Sequence, residues 1–320
     1  CWDGGTDMTR PQTAPTPSRA AGNRLGWLLP TAIALLLAGL APVLPGYAMD
    51  LVMRLMIYAI FALSLELLVG TTGLVSFGHA AFLGMGAYLV VLASPESGPG
   101  SIIWLLFLSM LVPALYALFV GLLSLRTRGI YFIMVTLAFA QMAYFVFHDT
   151  KVGGGSDGIY LYFRPALAFG QAVLIDLEER RQLFWFVLGA LALTYAFLAL
   201  LRRSRYGHAL FGIRDNEQRM RAVGFNTFNY KLAAFVLAGA LAGLAGFLLA
   251  VKDGIANPEF LSWHMSAEVL LMIILGGLGS LRGAVVGTVG FTLLKEFFQT
   301  PDLVGNLLAD HWQLTLGIAI

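Results

Sequence analysis

The chain has 320 residues, of which 58% are hydrophobic and only 12% charged, with 36 glycines, a formal net charge of +2 and a mean hydropathy of +0.79. A soluble domain carries about 25% charged residues, so this chain could not cover a water-exposed surface and reads as an integral membrane protein. It lacks a basic patch dense enough for nucleic acid, and its one cysteine, Cys1, excludes a disulfide framework or a cysteine-based metal site.

Residues 1–7 read as an upstream extension with Met8 as the natural start, and residues 1–26 as a cytoplasmic tail. A helix needs about 20 mostly apolar residues to cross a ~30 Å hydrocarbon core. Spans are predicted at 27–47, 51–70, 73–94, 102–124, 129–148, 183–201, 232–252, 267–280, 284–299 and 312–320. The last stops about half-way, and a helix does not end in mid-bilayer, so the natural chain is expected to continue beyond Ile320. The fold class is therefore all-α, a polytopic bundle of about ten transmembrane or re-entrant helices in one domain, 27–320. The stretches 73–94 and 267–299 are dense in glycine and suit short, broken or re-entrant helices.

Lysine and arginine bias sets orientation. With the N-terminus cytoplasmic, the inner segments hold 13 of the 20 basic residues and the outer segments 6. The loop 149–182 is then external and 202–231 cytoplasmic.

Small residues let helices approach closely in lipid. Gly239, Ala242, Gly243 and Gly246 form one such seam, and Gly276, Gly277, Gly279, Gly283, Gly287 and Gly290 another; Ala80, Gly84 and Tyr88 share a face of a third. Ordinary tight packing is the plain reading of these seams, and a mobile transporter core the alternative. Ionisable groups within spans are functional candidates by default. Glu66, one turn from the inner end of its span, is expected to reach the interface, and Arg54 to snorkel outward. Glu268 and Lys295 fall near outer ends, and His79 is the most interior. The run 151–158 (KVGGGSDG) lacks the lysine placement of a phosphate-binding loop, and nothing resembles a nucleophile and base pair.

The segment 202–231 carries seven basic residues against Asp215 and Glu217, a net of +5. Asp215, followed three residues on by Gln218, is the expected N-cap of a short helix, and Gly224 its left-handed stop. Asn216, Met220 and Val223 share one stripe of it. Two turns are too short to hold alone in water, so either the segment docks on another surface or it serves as a charged topology signal.

The runs 73–88 (GLVSFGHAAFLGMGAY), 125–142 (LRTRGIYFIMVTLAFAQM), 152–159 (VGGGSDGI), 204–226 (SRYGHALFGIRDNEQRMRAVGFN) and 273–287 (IILGGLGSLRGAVVG) together resemble the inner-membrane permeases of bacterial branched-chain amino acid ABC importers, the M-type above all. The resemblance spans about residues 50–300. It implies a multi-pass subunit of the bacterial inner membrane without catalytic chemistry, cofactor or metal of its own. It also implies a second homologous permease, two cytoplasmic ATP-binding subunits that hydrolyse ATP, and a periplasmic substrate-binding protein. On the same ground Arg205, Gly207, Arg214, Asp215, Asn216, Glu217, Met220, Ala222 and Gly224 are expected to couple to the ATPase. Of the general importer pattern only Glu217, Ala222 and Gly224 hold comparable places. Ser76, Gly78, His79, Gly84, Gly276, Gly277, Gly279 and Gly283 are expected to line or gate the path. Two alternatives stay open: a secondary transporter coupling protons through Glu66 or His79, and a passive channel for small solutes.

Overall fold

The computed structural model describes residues 39, 45–95, 98–169, 172–299 and 317. The tail 1–26 and the predicted spans 27–47 and 312–320 lie almost wholly outside the described residues.

Helix α1, Gly46–Glu66, is apolar nearly all round and runs on into a π-helical turn, Leu67–Thr72, which Gly73 ends at φ +74°. An irregular stretch then leads to α2, His79–Ala93. At 1.5 Å per residue α2 is about 22 Å long, too short to cross; the predicted span 73–94 is helical only from residue 79 onward. Helices α3, Ile102–Ser124, and α4, Ile130–Asp149, are joined by a turn containing Gly129 at φ +60°.

Beyond α4 come two short 3₁₀ turns, strand β1 (Ile159–Tyr160) and a hairpin of β2 (Ala166–Phe169) with β3 (Ala172–Asp176). Helix α5, Arg180–Arg203, returns to the end where α4 began, and two short helices follow, α6 (Arg205–Asp215) and α7 (Glu217–Ala222). Helix α8, Thr227–Asp253, leads to β4 (Ile255–Ala256), which pairs antiparallel with β1. A 3₁₀ turn at Pro258–Leu261 precedes α9, Trp263–Gly276, and α10, Leu281–Gln299.

Among the described residues five helices are long and apolar enough to cross a membrane: α1 with its π turn, α3, α4, α5 and α8. Helices α9 and α10, predicted as spans 267–280 and 284–299 within a stretch suited to broken or re-entrant helices, form a pair bent by 116° at the glycine-rich break between them, which makes a sixth span if counted as one. The apolar stretches of α1 and α8 are 78% buried, against 22–33% for α3, α4 and α5. The first two are the core; the others turn one face outward, carrying Trp104, Phe107, Tyr131 and Met134.

Close approach explains the seam on α8. A side chain at Gly243 would meet the Pro113 ring of α3 at 2.8 Å, and one at Gly246 the Ala87 backbone of α2 at 2.9 Å. Gly86 of α2 lies against Gly243 itself, 2.7 Å from an added carbon to its Cα. In α9 and α10 the contact is again backbone on backbone: added carbons at Gly283 and Gly287 would meet Gly276 atoms at 2.9 and 2.8 Å. At the far ends, Asp50 of α1 pairs with Arg180 of α5 at 3.5 Å, and the Tyr47 hydroxyl donates to Glu296 of α10.

Candidate functional site

The segment 202–231 is built from short rigid pieces with capped joints. Ser204 alone separates α5 from α6, and its Oγ accepts from the Gly207 amide at 3.3 Å. Gly207 is buried against the end of α5, where an added carbon would lie 2.6 Å from the Arg202 Cα. Asn216 alone separates α6 from α7, and its Oδ1 accepts from the Arg219 amide at 2.9 Å. The N-cap is thus Asn216; Asp215, expected in that place, is the last residue of α6. The amide side chain reaches the third amide of the new helix, and two capping-type residues in succession left the choice open to the turn geometry. Asn226 caps α8 at the Asn229 amide, 3.4 Å away.

The stop at Gly224 is as expected, with φ +98°. Its amide donates to the Arg221 carbonyl and that of Phe225 to the Met220 carbonyl, at 3.0 and 3.1 Å. These two bonds are the Schellman pattern, which needs a left-handed residue after the last helical turn. Met220 of the predicted stripe faces inward, its sulfur against Gly212 of α6, whereas Asn216 and Val223 stay exposed. Arg205, Asp215 and Ala222 are exposed as well.

Glu217 clamps α7 to α8. Its Oε1 accepts from Arg221 at 2.6 Å and from the Thr227 hydroxyl at 3.0 Å, and its Oε2 from Lys231 at 2.8 Å. Beside it opens a cleft of about 600 Å³ walled by Arg126, Arg128, Arg214, Arg221 and Lys231, with Glu217 its one lining carboxylate. Arg126 and Arg128 lie in the α3–α4 turn. In the sequence they count toward the charge bias and belong to the 125–142 run; only the fold brings that turn beside 213–231.

Beneath this face lies a second polar group, joining four elements. Glu66 is fully buried, 4.0 Å from the Arg202 guanidinium at the end of α5. Arg202 donates to the Gly279 carbonyl in the α9–α10 break, and Arg214 of α6 donates to the Gly70 carbonyl in the π turn. Arg214 also lies 3.4 Å from where a side chain at Gly279 would start. Glu66, expected from its place in the span to reach the interface, is buried instead, because α5 and the α9–α10 break cover it. Arg54 is exposed.

The candidate path residues at and before α2 are packed. Ser76 and His79 are fully buried; the His79 Nε2 is 2.7 Å from the Ser64 hydroxyl, and its ring stacks on Phe61 and meets Phe82 edge-on. An added carbon at Gly78 would meet the Thr136 backbone of α4 at 2.9 Å, and one at Gly84 the Leu261 backbone at 3.0 Å. Gly276 and Gly283 form the α9–α10 contact, while Gly277 and Gly279, at φ +92° and +87°, make the break between those helices. The glycine run 153–158 closes over the end of α4, where Gly153 accepts from the Tyr88 hydroxyl at 3.2 Å. Among the described residues no group of three His, Cys, Asp or Glu could hold a metal ion.

Residues 47–308 match the family model described as the permease component of branched-chain amino acid transport systems. The chain is 30% identical to the high-affinity branched-chain amino acid transport system permease protein LivM of Salmonella typhimurium, over 82% of this chain and 67% of that one. It is 29% identical to LivM of Escherichia coli, over 81% and 66%, and 23% identical to BraD of Pseudomonas aeruginosa, over 79% and 85%. The chain thus spans about two thirds of the length of the two LivM proteins. No solved structure matches.

Proposed function

Since the chain belongs to the permease-component family of branched-chain amino acid transport systems, we propose that it is the membrane subunit of an ATP-driven importer of branched-chain amino acids or related small polar solutes. Its partners in this reading are a second homologous permease, two cytoplasmic ATP-binding subunits and a periplasmic binding protein. ATP is hydrolysed in the partners, and this multi-pass protein of the bacterial inner membrane contributes the path.

The observation that carries the reading is the form of the 204–226 face. Its three joints are capped, its last turn is closed by Gly224, and its exposed tip carries Val223 and Phe225. A loop that served only to hold positive charge inside would need none of this order. The basic cleft beside it complements an acidic partner surface, which favours encounter and register. Through Arg214 the same face touches the π turn of α1, and Arg202 just before it touches the α9–α10 break. Movement imposed on α6 and α7 is thereby passed to both elements. His79 is packed between Ser64, Phe61 and Phe82, which supports a structural role for it over proton coupling.

Gly224→Val tests the coupling. A β-branched residue at φ +98° is strained by about 1–2 kcal/mol, so α7 loses its stop and its angle of presentation. Substrate-stimulated ATPase activity of the assembled importer is expected to fall at least fivefold at unchanged expression and insertion. Undiminished stimulation would reduce 204–224 to a topology signal, and uptake by the chain alone under a proton gradient would replace the importer reading.

A further inference from the structure

A cavity of about 680 Å³ lies away from the coupling face, between α1, α4 and the α9–α10 pair. That volume is within the range of small-molecule sites. Its charged lining is Glu259, Glu268 of α9 and Lys295 of α10, with His264 also in the wall; the Glu268 and Lys295 charged ends are 2.7 Å apart, and those two side chains are only 23% and 24% exposed. Both fall near the outer ends of their helices, and the pair is only partly withdrawn from solvent. A partly buried pair adds little over an apolar pair of the same size, so stability alone gives no reason for it.

The geometry points to this cavity as a binding site for the charged head of a zwitterionic α-amino acid, with Lys295 taking the carboxylate and Glu268 the ammonium. The choice of ligand class rests on the importer reading; the existence of a site for a zwitterion rests on the cavity alone. An α-amino acid carries its opposite charges on neighbouring atoms of one short unit, as the Glu268–Lys295 contact does. On entry the two charges of the pair exchange their contact with each other for contacts with the ligand's. An uncharged solute offers no such exchange: it must leave the pair closed or separate it without compensation. Two further features fit. Ser262, the N-cap of α9, lines the cavity without capping through its side chain, so the positive end of that helix is open to a carboxylate. Leu271 and Phe291 give apolar wall for an aliphatic side chain.

The test uses the full chain in lipid nanodiscs, with Cys1→Ser and a reporter thiol, Met265→Cys, in the cavity wall. Leucine is expected to slow modification of that thiol by a small thiosulfonate, and N-acetyl-leucinamide, which has neither charge, is not. The double variant Glu268→Gln/Lys295→Met removes both charges of the pair together rather than stranding one against the other. It should lower the apparent affinity for leucine at least tenfold. A thiol that does not react, one that leucine does not protect, equal protection by the uncharged analogue, or unchanged protection in the double variant would each overturn the site. ATP-driven leucine uptake by the wild-type importer is measured in parallel. Its absence would count against the importer reading while the protection result still decides the site.

Discussion

Glu217 engages three donors with two oxygens, and its titration follows. Burial pushes its carboxyl up, but the bond and charge of Lys231, the Thr227 hydroxyl and Arg221 outweigh that and hold it below its ordinary 4.5. A carboxylate depressed in the folded state stabilises above its unfolded value, and the contribution is lost as pH falls through the lower folded value. The clamp between α7 and α8 should therefore contribute fully above about pH 4.5, weaken below it and open as pH falls through the lower folded value. Its worth is about 1 kcal/mol, since the pair is partly solvated. Hydrogen exchange of 217–231, corrected for intrinsic rates, is the measure. Glu217→Gln should raise exchange severalfold at pH 7 and abolish the acid-dependent step; a step that survives in this variant would place the titrating group elsewhere.

At the scale of elements, the group around Glu66 makes a claim about pairs of helices. Arg202→Met would leave Glu66 buried without its countercharge, at a cost of about 2–3 kcal/mol, below that of a tight buried pair because the two sit 4.0 Å apart. The double variant Glu66→Gln/Arg202→Met leaves no stranded charge and should recover most of the loss. Thermal unfolding in detergent compares the two, and additive losses would mean that the residues do not interact. The sequence made some elements plain. The apolar runs of α3, α4 and α5 are bounded by charged or glycine-containing turns, and the predicted 102–124, 129–148 and 183–201 lie within three residues of the observed ends. The burial of Glu66 was not legible, because position within a span says nothing about which other chain segments cover it. Nor was the α9–α10 bend: a glycine run signals irregular backbone, while its angle is set by the neighbours it packs on. The Asn216 cap and the Arg126–Arg128 wall were missed for the same reason, each being decided by how segments meet.

Over the whole molecule, the crossing helices sort the connections into two groups. Helix α4 carries the chain from the 125–129 turn to the strand-bearing 150–179 region, and α5 brings it back to 204–226. Ser156 and Arg203 should therefore label from opposite sides of the membrane when each is replaced by cysteine. Ser156 is exposed, whereas neighbouring Gly155, at φ +72°, would be strained by the change. Modification of both from one side by an impermeant reagent would refute the arrangement. The capped joints at Ser204 and Asn216 have a mechanical meaning of their own. Two rods meeting at one residue each, with that residue tied by its own side chain, have few ways to bend. Such a linkage behaves as a bell crank rather than a tether. A push on its tip emerges as displacement at the Arg214 and Arg202 anchors instead of dissipating in slack, and a partner that grips the tip has little loose chain to order first.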